Sequence, residues 1–300
     1  MSYLLNLIRS AQIEFFYLDS ESNELKKTNT NEYKNLPNKD KILAFNFFNI
    51  TLDFEFEIEL FPNIQSLLFD SIIFTSVSSY SFISKCKNLT KLEFKKYMIK
   101  YLSSLLSTSK IQLKILSLHS IDIIDDVDIS LISSLEELHI TKSRLTRIGD
   151  IHKLHNLKKL NLENNSLIKI NQIEELTKLK SLNISHNALI EINEIENLLL
   201  LEEIDIKSNQ VVRLWNLERT PLIKKLIITN NNITDCYDLI KLKNLETFEI
   251  NVNPINSLPN LLLLPKLNYE TIQIDWAKII TVDGLKGFGL IKNIIKTLTI

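Results

Sequence analysis

A nine-residue pattern that returns five times at a fixed interval constrains this chain more than any other feature. Apolar residues occupy its first, fourth and sixth positions, and an asparagine closes it; the closing asparagines lie 22 residues apart. The copies run over 157–165, 179–187, 201–209, 223–231 and 245–253. A unit this short cannot bury its apolar side chains alone, but stacked units share one continuous core. The sequence therefore predicts a solenoid and not an ordinary globular domain.

Each copy holds one short strand of the form L-x-L. Its two apolar side chains point inward and the flanking x residues point outward, so stacked copies align their strands in a parallel sheet on the concave side. After each asparagine, apolar residues recur every three positions, as at Leu167, Ile170, Ile173 and Leu176. This spacing favours a 3₁₀ or irregular convex side, because 22 residues leave little room for a long α-helix.

These features resemble the SDS22-like subfamily of leucine-rich repeats, whose units are 22 residues long and rich in isoleucine on the convex side. The resemblance is close over 135–253 and looser over 42–134 and 254–300. The predicted fold class is therefore an α/β repeat. Specifically, we expect a leucine-rich repeat solenoid of about 11–12 coils, with a parallel β-sheet on its concave face and a 3₁₀ or irregular convex side. The resemblance implies a protein phosphatase 1 regulatory subunit.

The ends of the chain depart from the regular pattern. Residues 1–41 are predicted to be an N-terminal cap and residues 42–300 the solenoid, which is most regular over 135–253. Residues 13–18 read as a strand, and their apolar spacing leaves a degenerate first coil as an alternative. The apolar spacing also runs to Ile300. Three alternatives follow: this segment packs back as a cap, it docks on another chain, or the sequence is truncated.

The asparagine position has different occupants in the early coils. They are Ile50, Ile72, Tyr97, Ile121 and Ser143. Isoleucine cannot make the hydrogen bonds of an inward turn, so we expect these coils to be less regular. The five asparagines themselves are interpreted as a structural ladder, because a side-chain amide can satisfy backbone groups of its own coil and the next. They are Asn165, Asn187, Asn209, Asn231 and Asn253.

The outward residues of the strands form the predicted partner-binding surface. Its residues are Glu137, His139, Lys159, Asn161, Glu163, Asn183, Ser185, Asp205, Lys207, Thr229, Glu249, Asn251, Asp275 and Trp276. An acidic column through Glu137, Glu163, Asp205, Glu249 and Asp275 favours a globular partner with a basic patch. Trp276 is either an interface anchor or a cover for the last coil.

Composition and motifs exclude several classes of function. The chain carries 35 basic and 36 acidic residues, which argues against a general nucleic-acid or membrane-surface binder. Its five histidines lack a carboxylate or cysteine cluster at metal-ligand spacing, and no nucleophile motif accompanies its serines. We therefore expect no enzyme activity, cofactor, metal or small-molecule substrate. The cysteines, Cys86 and Cys236, are expected to be free thiols.

The sequence leaves three hypotheses about function. The first is a non-enzymatic scaffold that binds a globular protein on its concave face, with a phosphatase catalytic subunit as one named partner. The second is a secreted or translocated adhesin or effector of internalin type, which also uses 22-residue coils. The third is the substrate-recognition subunit of a ubiquitin ligase. Residues 1–9 lack the features of a secretory signal, so we expect a cytoplasmic or nuclear location.

Overall fold

The computed structural model divides the chain into two compact units, Met1–Ser143 (unit 1) and Arg144–Ile300 (unit 2). The structure describes residues 13–18, 25–28, 39–49, 51–52, 61–74, 77–96, 111–121, 129–192, 195–214, 217–255, 257–269, 272–274 and 281–282. Every structural statement below concerns these residues.

Unit 1 contains a parallel ladder of five strands, one for each coil. They are β3 (Ile42–Phe48), β5 (Ser66–Asp70), β7 (Lys91–Lys95), β8 (Ile115–His119) and β9 (Glu137–Thr141). Each pairs in parallel with the next. Two further short strands, β4 (Thr51–Leu52) and β6 (Ile73–Phe74), form a separate parallel pair. The 3₁₀ segments of this unit are Lys39–Lys41, Val77–Lys85 and Ile129–Leu131.

An antiparallel hairpin extends the edge of this ladder. Strand β1 (Ile13–Leu18) pairs antiparallel with both β2 (Leu25–Thr28) and β3. The strand expected at 13–18 is present. Its direction differs from that of every coil strand in unit 1, so the described part of this segment is a hairpin and not a degenerate coil. The paired hairpin covers one edge of β3, which would otherwise present unpaired backbone groups.

Unit 2 carries the five regular copies of the repeat. Their strands are β10 (Lys159–Asn161), β11 (Ser181–Asn183), β12 (Glu203–Asp205), β13 (Lys225–Ile227) and β14 (Thr247–Glu249). They pair in parallel in chain order. Two more short strands, β15 (Ser257–Leu258) and β16 (Thr281–Val282), form a separate parallel pair. The 3₁₀ segments are Ile151–Lys153, Ile173–Glu175, Leu217–Arg219, Tyr237–Lys241 and Leu261–Leu263.

The core of each unit repeats from coil to coil. In unit 2 the inward strand residues are leucine, isoleucine and phenylalanine, all at most 1% exposed, as at Leu160, Leu182 and Phe248. In unit 1, phenylalanine takes over one inward position. The rings of Phe47 and Phe69 stack at 4.9 Å, and those of Phe69 and Phe94 at 5.2 Å. Apolar burial of this kind is the main favourable term in a stack of short coils.

The early coils are less regular in length, as expected: paired residues lie 25 apart between β5 and β7 and 24 apart between β7 and β8, against 22 throughout unit 2. Ile72 and Ile121 are buried in the asparagine position, yet the strands of the parallel ladder in unit 1 span five to seven residues, against three in the ladder of unit 2. The carbonyl groups at the ends of the strands also differ in their partners. Each ladder asparagine donates to the carbonyl oxygen of the residue three places before it, and isoleucine has no donor with which to do so.

The predicted fold class is confirmed. The described residues form leucine-rich repeat coils with parallel strands and 3₁₀ connections, and they contain no α-helix. Tyr97, Ile50 and the segment ending at Ile300 lie outside the described residues, as does most of the predicted cap. The division into a cap and one solenoid stays a prediction.

Candidate functional site

The asparagine ladder joins neighbouring coils of unit 2 by the same bonds each time. The amide of Asn209 donates to the carbonyl oxygens of Ile206 in its own coil (2.9 Å) and Ile184 in the preceding coil (3.0 Å). Its Oδ1 accepts from the backbone N–H of Leu189 at 3.0 Å. Asn187, Asn231 and Asn253 repeat the set. The neighbour involved is thus the preceding coil and not, as expected, the next one.

The outward side chains of unit 2 form a concave face with three rows that cross the strands. Row 1 consists of the residues directly before the buried fourth position of each repeat: Lys159, Ser181, Glu203, Lys225 and Thr247. Row 2 consists of the residues directly after that position: Asn161, Asn183, Asp205, Ile227 and Glu249, with Gln273 paired to Glu249 in a β-bridge. Row 3, two residues further along each coil, holds Glu163, Ser185, Lys207, Thr229 and Asn251.

Three of the six row 2 side chains form hydrogen bonds that stabilise the turn after their strand. The Oδ1 atoms of Asn161, Asn183 and Asp205 accept from the backbone N–H two residues later, at 2.9 to 3.0 Å. These bonds are side-chain turns that redirect the chain after the strand. Ile227 has no acceptor atom, and no such bond is recorded for Glu249 among the described residues. The row 2 side chains of Ile227 and Glu249 therefore take no part in stabilising a turn.

Asp205 carries its charge in a partly desolvated position. Burial raises the pKa of its carboxyl group, while the hydrogen bond from the Lys207 backbone and the nearby Lys207 and Lys225 charges lower it; Glu163 adds a smaller raising effect. Burial dominates, so the pKa lies above the ordinary value. The carboxylate that turns the chain is thus also costly to ionise there.

A row of left-handed residues borders this face. The residue before each ladder asparagine has a positive φ, and in unit 2 these residues are Asn164, His186, Ser208, Asn230 and Val252. Asparagine tolerates this conformation because its short polar side chain bonds locally. A β-branched residue does not. Val252 has a φ of 56° and is 57% exposed, so the last coil holds a strained apolar residue at the surface.

The predicted acidic column does not exist as one line. Asp205 and Glu249 share row 2 but have Ile227 between them, and Glu163 lies in row 3. Glu137 belongs to unit 1, and Asp275 lies outside the described residues. Sequence spacing places residues on a face, but alternate outward positions fall in different rows, which only the register assigns.

The predicted partner-binding residues differ in whether they are accessible on the concave face. Lys159, Lys207 and Thr229 lie on the concave face of unit 2 together with Asn251. Ser185 is only 3% exposed, and its hydroxyl donates to Asn183 at 2.7 Å, so it offers no accessible group. Trp276 lies outside the described residues, as does its neighbour Asp275. Lys225, Ile227 and Thr247 also lie on this face, as the repeat register predicts, although they are not among the predicted partner-binding residues. Val252 borders the face and was not predicted to do so.

The polar side chains of unit 1 largely pair with one another. Glu93 bonds Lys95 at 2.9 Å and lies 3.5 Å from Lys91. The ring of His139 contacts Glu137 at 3.4 Å, and that of His119 contacts the Thr141 hydroxyl at 2.8 Å. Residue 119 lies opposite residue 141 in the register, and residue 139 opposite 117, so the two histidines are offset. The described residues hold no group of three potential metal ligands.

The convex side of unit 2 contains a cavity of about 250 Å³ that is lined by both polar and apolar residues. Arg213, Asp235, Cys236 and Tyr237 are among the residues that line it. Trp215, which neighbours this lining in sequence, lies outside the described residues. Burial raises the pKa of the Cys236 thiol to about 12, with a smaller contribution from Asp235. Both cysteines are buried thiols outside any disulfide, and the raised pKa of Cys236 opposes the thiolate form that a reactive cysteine requires.

Comparison with known proteins supports the fold. A family model described as leucine rich repeat matches residues 133–189. An internalin (InlF) from Listeria monocytogenes is similar with a TM-score of 0.57 at 17% identity, covering 93% of this chain and 94% of the internalin chain. The functional domain of InlJ from the same organism gives a TM-score of 0.61 at 18% identity over 75% of this chain and 47% of its own.

A third structure, a leucine-rich repeat protein of Leptospira interrogans, gives a TM-score of 0.57 at 24% identity, covering 72% of this chain and 61% of its own. This chain thus spans about half the InlJ domain. No curated protein matches the sequence. Within its described residues, the chain also has no helix with the length and apolarity to cross a bilayer. These likenesses establish the leucine-rich repeat fold, and membership of the SDS22-like subfamily stays a prediction.

Proposed function

We propose that this chain is a non-enzymatic protein-binding module, and that the concave face of unit 2 is its binding surface. The observation that carries the proposal is the division within row 2. Three coils use this position to turn the chain, whereas Ile227 and Glu249 project from the same face without such a role. Outward side chains that neither pack in the core nor shape the turns are available for recognition.

The chemistry of the face favours a folded protein as the ligand. It is broad, it mixes both signs of charge, and the cavity of unit 2 lies on the opposite, convex side. A surface of this kind suits a globular partner better than a small molecule, which requires a concave pocket.

Two candidate functions differ in the partner that the chain would bind. An internalin-type adhesin or effector is favoured by the similarity to InlF, because the two chains match over 93% and 94% of their lengths. A phosphatase regulator rests on the 22-residue repeat alone. A ubiquitin-ligase subunit has no supporting observation. A cytoplasmic or nuclear location is our proposal for the regulator, whereas an internalin-type protein would be secreted or translocated. Cell fractionation with an antibody against the chain separates these two locations.

Affinity capture with charge-reversed variants tests the binding face. The test variant is Glu163→Lys with Glu249→Lys; Asp205 is left intact because its carboxylate accepts a backbone hydrogen bond. The control is Glu175→Lys with Glu191→Lys, which makes the same charge change at exposed convex positions. We expect a protein captured from lysate or from a host-cell surface to be lost with the concave variant and retained with the control.

The opposite pattern, or equal retention by both variants, would place binding elsewhere and overturn the proposal. A captured phosphatase catalytic subunit would favour the hypothesis of a phosphatase regulator. A captured host-surface protein would favour the hypothesis of an internalin-type adhesin or effector.

A further inference from the structure

Ile227 lies between two acidic residues at the centre of row 2. The register pairs it with Asp205 on β12 and with Glu249 on β14. Neighbouring strands are about 4.8 Å apart, so each acidic residue is one strand away from the isoleucine. Ile227 is half-buried, and every other row 2 residue from Asn161 to Gln273 is polar. An aliphatic platform bordered by carboxylates is thus built into this face.

The two carboxylates differ in how far they are already engaged. One oxygen of Asp205 accepts from the Lys207 backbone, and the Lys207 and Lys225 charges act on it as well. Glu249 has no hydrogen bond or ion pair from its carboxylate among the described residues. It therefore retains its full capacity to accept a cation from a partner.

Two further departures from the repeat lie in the same coils. Val252, in the coil of Glu249, is exposed in a left-handed conformation that its branched side chain disfavours. The buried hydroxyl oxygens of Thr229 and Thr247 have no hydrogen-bond partner among the described residues. Backbone strain of the kind at Val252 is enriched at binding surfaces.

Resting on the proposed function, we propose that this patch receives an arginine side chain of the protein partner, with its aliphatic stem on Ile227 and its guanidinium group on Glu249. Arginine fits because its stem is apolar and its head is a weakly hydrated, planar cation that binds a carboxylate through two parallel hydrogen bonds. Lysine carries only a point charge. We name Ile227, Glu249, Thr247 and Val252 the arginine patch.

A titration with short peptides tests the patch without the natural partner. The probe is a blocked peptide with one central arginine between glycine and serine residues; its counterparts carry citrulline, which keeps the shape without the charge, or lysine. The full-length chain is labelled at isoleucine methyl groups, and the Ile227 signal is identified from the Ile227→Val variant. We expect the arginine peptide to shift this signal and to bind about three- to fivefold more tightly than the citrulline peptide.

Two matched variants decide whether Glu249 is responsible. Glu249→Gln removes the difference between the arginine and citrulline peptides, whereas Glu163→Gln, which removes one charge from the same face, preserves it. Equal binding of arginine and citrulline by the unaltered chain, or equal effects of the two variants, would overturn the patch. A lysine peptide that binds as tightly as the arginine peptide would overturn the assignment to arginine.

The outcomes also separate this inference from the proposed function. A captured partner that is lost with the charge-reversed concave variant but retained by Glu249→Gln overturns the arginine patch and leaves the binding face standing. If the arginine peptide binds specifically but no partner is captured, the arginine patch is supported, and only the proposed protein-binding function is contradicted.

Discussion

The side-chain amide of Asn187 donates to the carbonyl oxygen of Leu162, which lies 25 residues earlier in the chain, at 3.0 Å. Its Oδ1 accepts from the backbone N–H of Leu167 at 3.0 Å. One side chain thereby satisfies both kinds of backbone group in the preceding coil. The bond explains why the repeat closes on asparagine: an aspartate cannot donate, and an isoleucine can do neither.

Replacement of Asn187 by leucine is expected to lower the free energy of unfolding by at least about 1–3 kcal/mol, because buried backbone groups in two coils lose their partners. Asn251→Ala, which truncates an outward row 3 residue, should change it by no more than about 0.5 kcal/mol. Urea unfolding followed by circular dichroism measures both. Similar losses for the two variants would contradict the assignment of Asn187 to the ladder.

Replacement of Val252 by asparagine is expected to raise the free energy of unfolding by about 1 kcal/mol, because asparagine accepts the left-handed conformation that valine resists. Asn164 and Asn230 already occupy the equivalent position in other coils. Val212→Asn is the control: this valine is 41% exposed and is not among the residues with positive φ. Equal stabilisation by both changes would mean that polarity and not backbone strain is responsible.

Replacement of Asp205 by asparagine is expected to stabilise the protein at neutral pH. Burial raises the pKa of this carboxyl above the ordinary value of 3.8. The folded state then binds the proton more tightly than the unfolded chain, so ionisation opposes folding above the raised pKa, and the opposition vanishes as the pH falls below 3.8. Asparagine keeps the Oδ1 acceptor of the turn.

The measurement for this variant is urea unfolding of Asp205→Asn and of the unaltered chain at pH 7 and below pH 3.8. The gain should be present at the higher pH and absent at the lower. Glu191→Gln removes one exposed charge on the convex side and provides the reference. A gain that is independent of pH would show that desolvation of the carboxylate is not its source.

Replacement of Phe69 by alanine is expected to cost about 3–5 kcal/mol, as is usual for a large core side chain. Its ring is fully buried and stacks between Phe47 and Phe94 in unit 1. Ile73→Ala serves as the control, since that side chain is 59% exposed. Thermal unfolding of the full chain detects both, and a small loss for Phe69→Ala would contradict the stacked core.

Features with a fixed local period could be predicted well. The five ladder asparagines, the inward strand residues and the 3₁₀ connections each recur every 22 residues, and the described coils place them as expected. The early coils were expected to be less regular, and their lengths do vary. Their longer strands, as at Ser66–Asp70 and Ile115–His119, were not predicted, because strand length depends on hydrogen bonds between coils that sequence spacing does not contain.

The sequence by itself determined the repeat unit, its parallel stacking and which residues face outward, because these depend on local period and on the burial of one apolar stripe. Tertiary structure alone decided which outward residues are neighbours. Register placed Ile227 between Asp205 and Glu249 and put Glu163 in another row. It also decided which polar groups are engaged in turns, as at Asn183, since a hydrogen bond depends on distance and direction that sequence spacing does not contain.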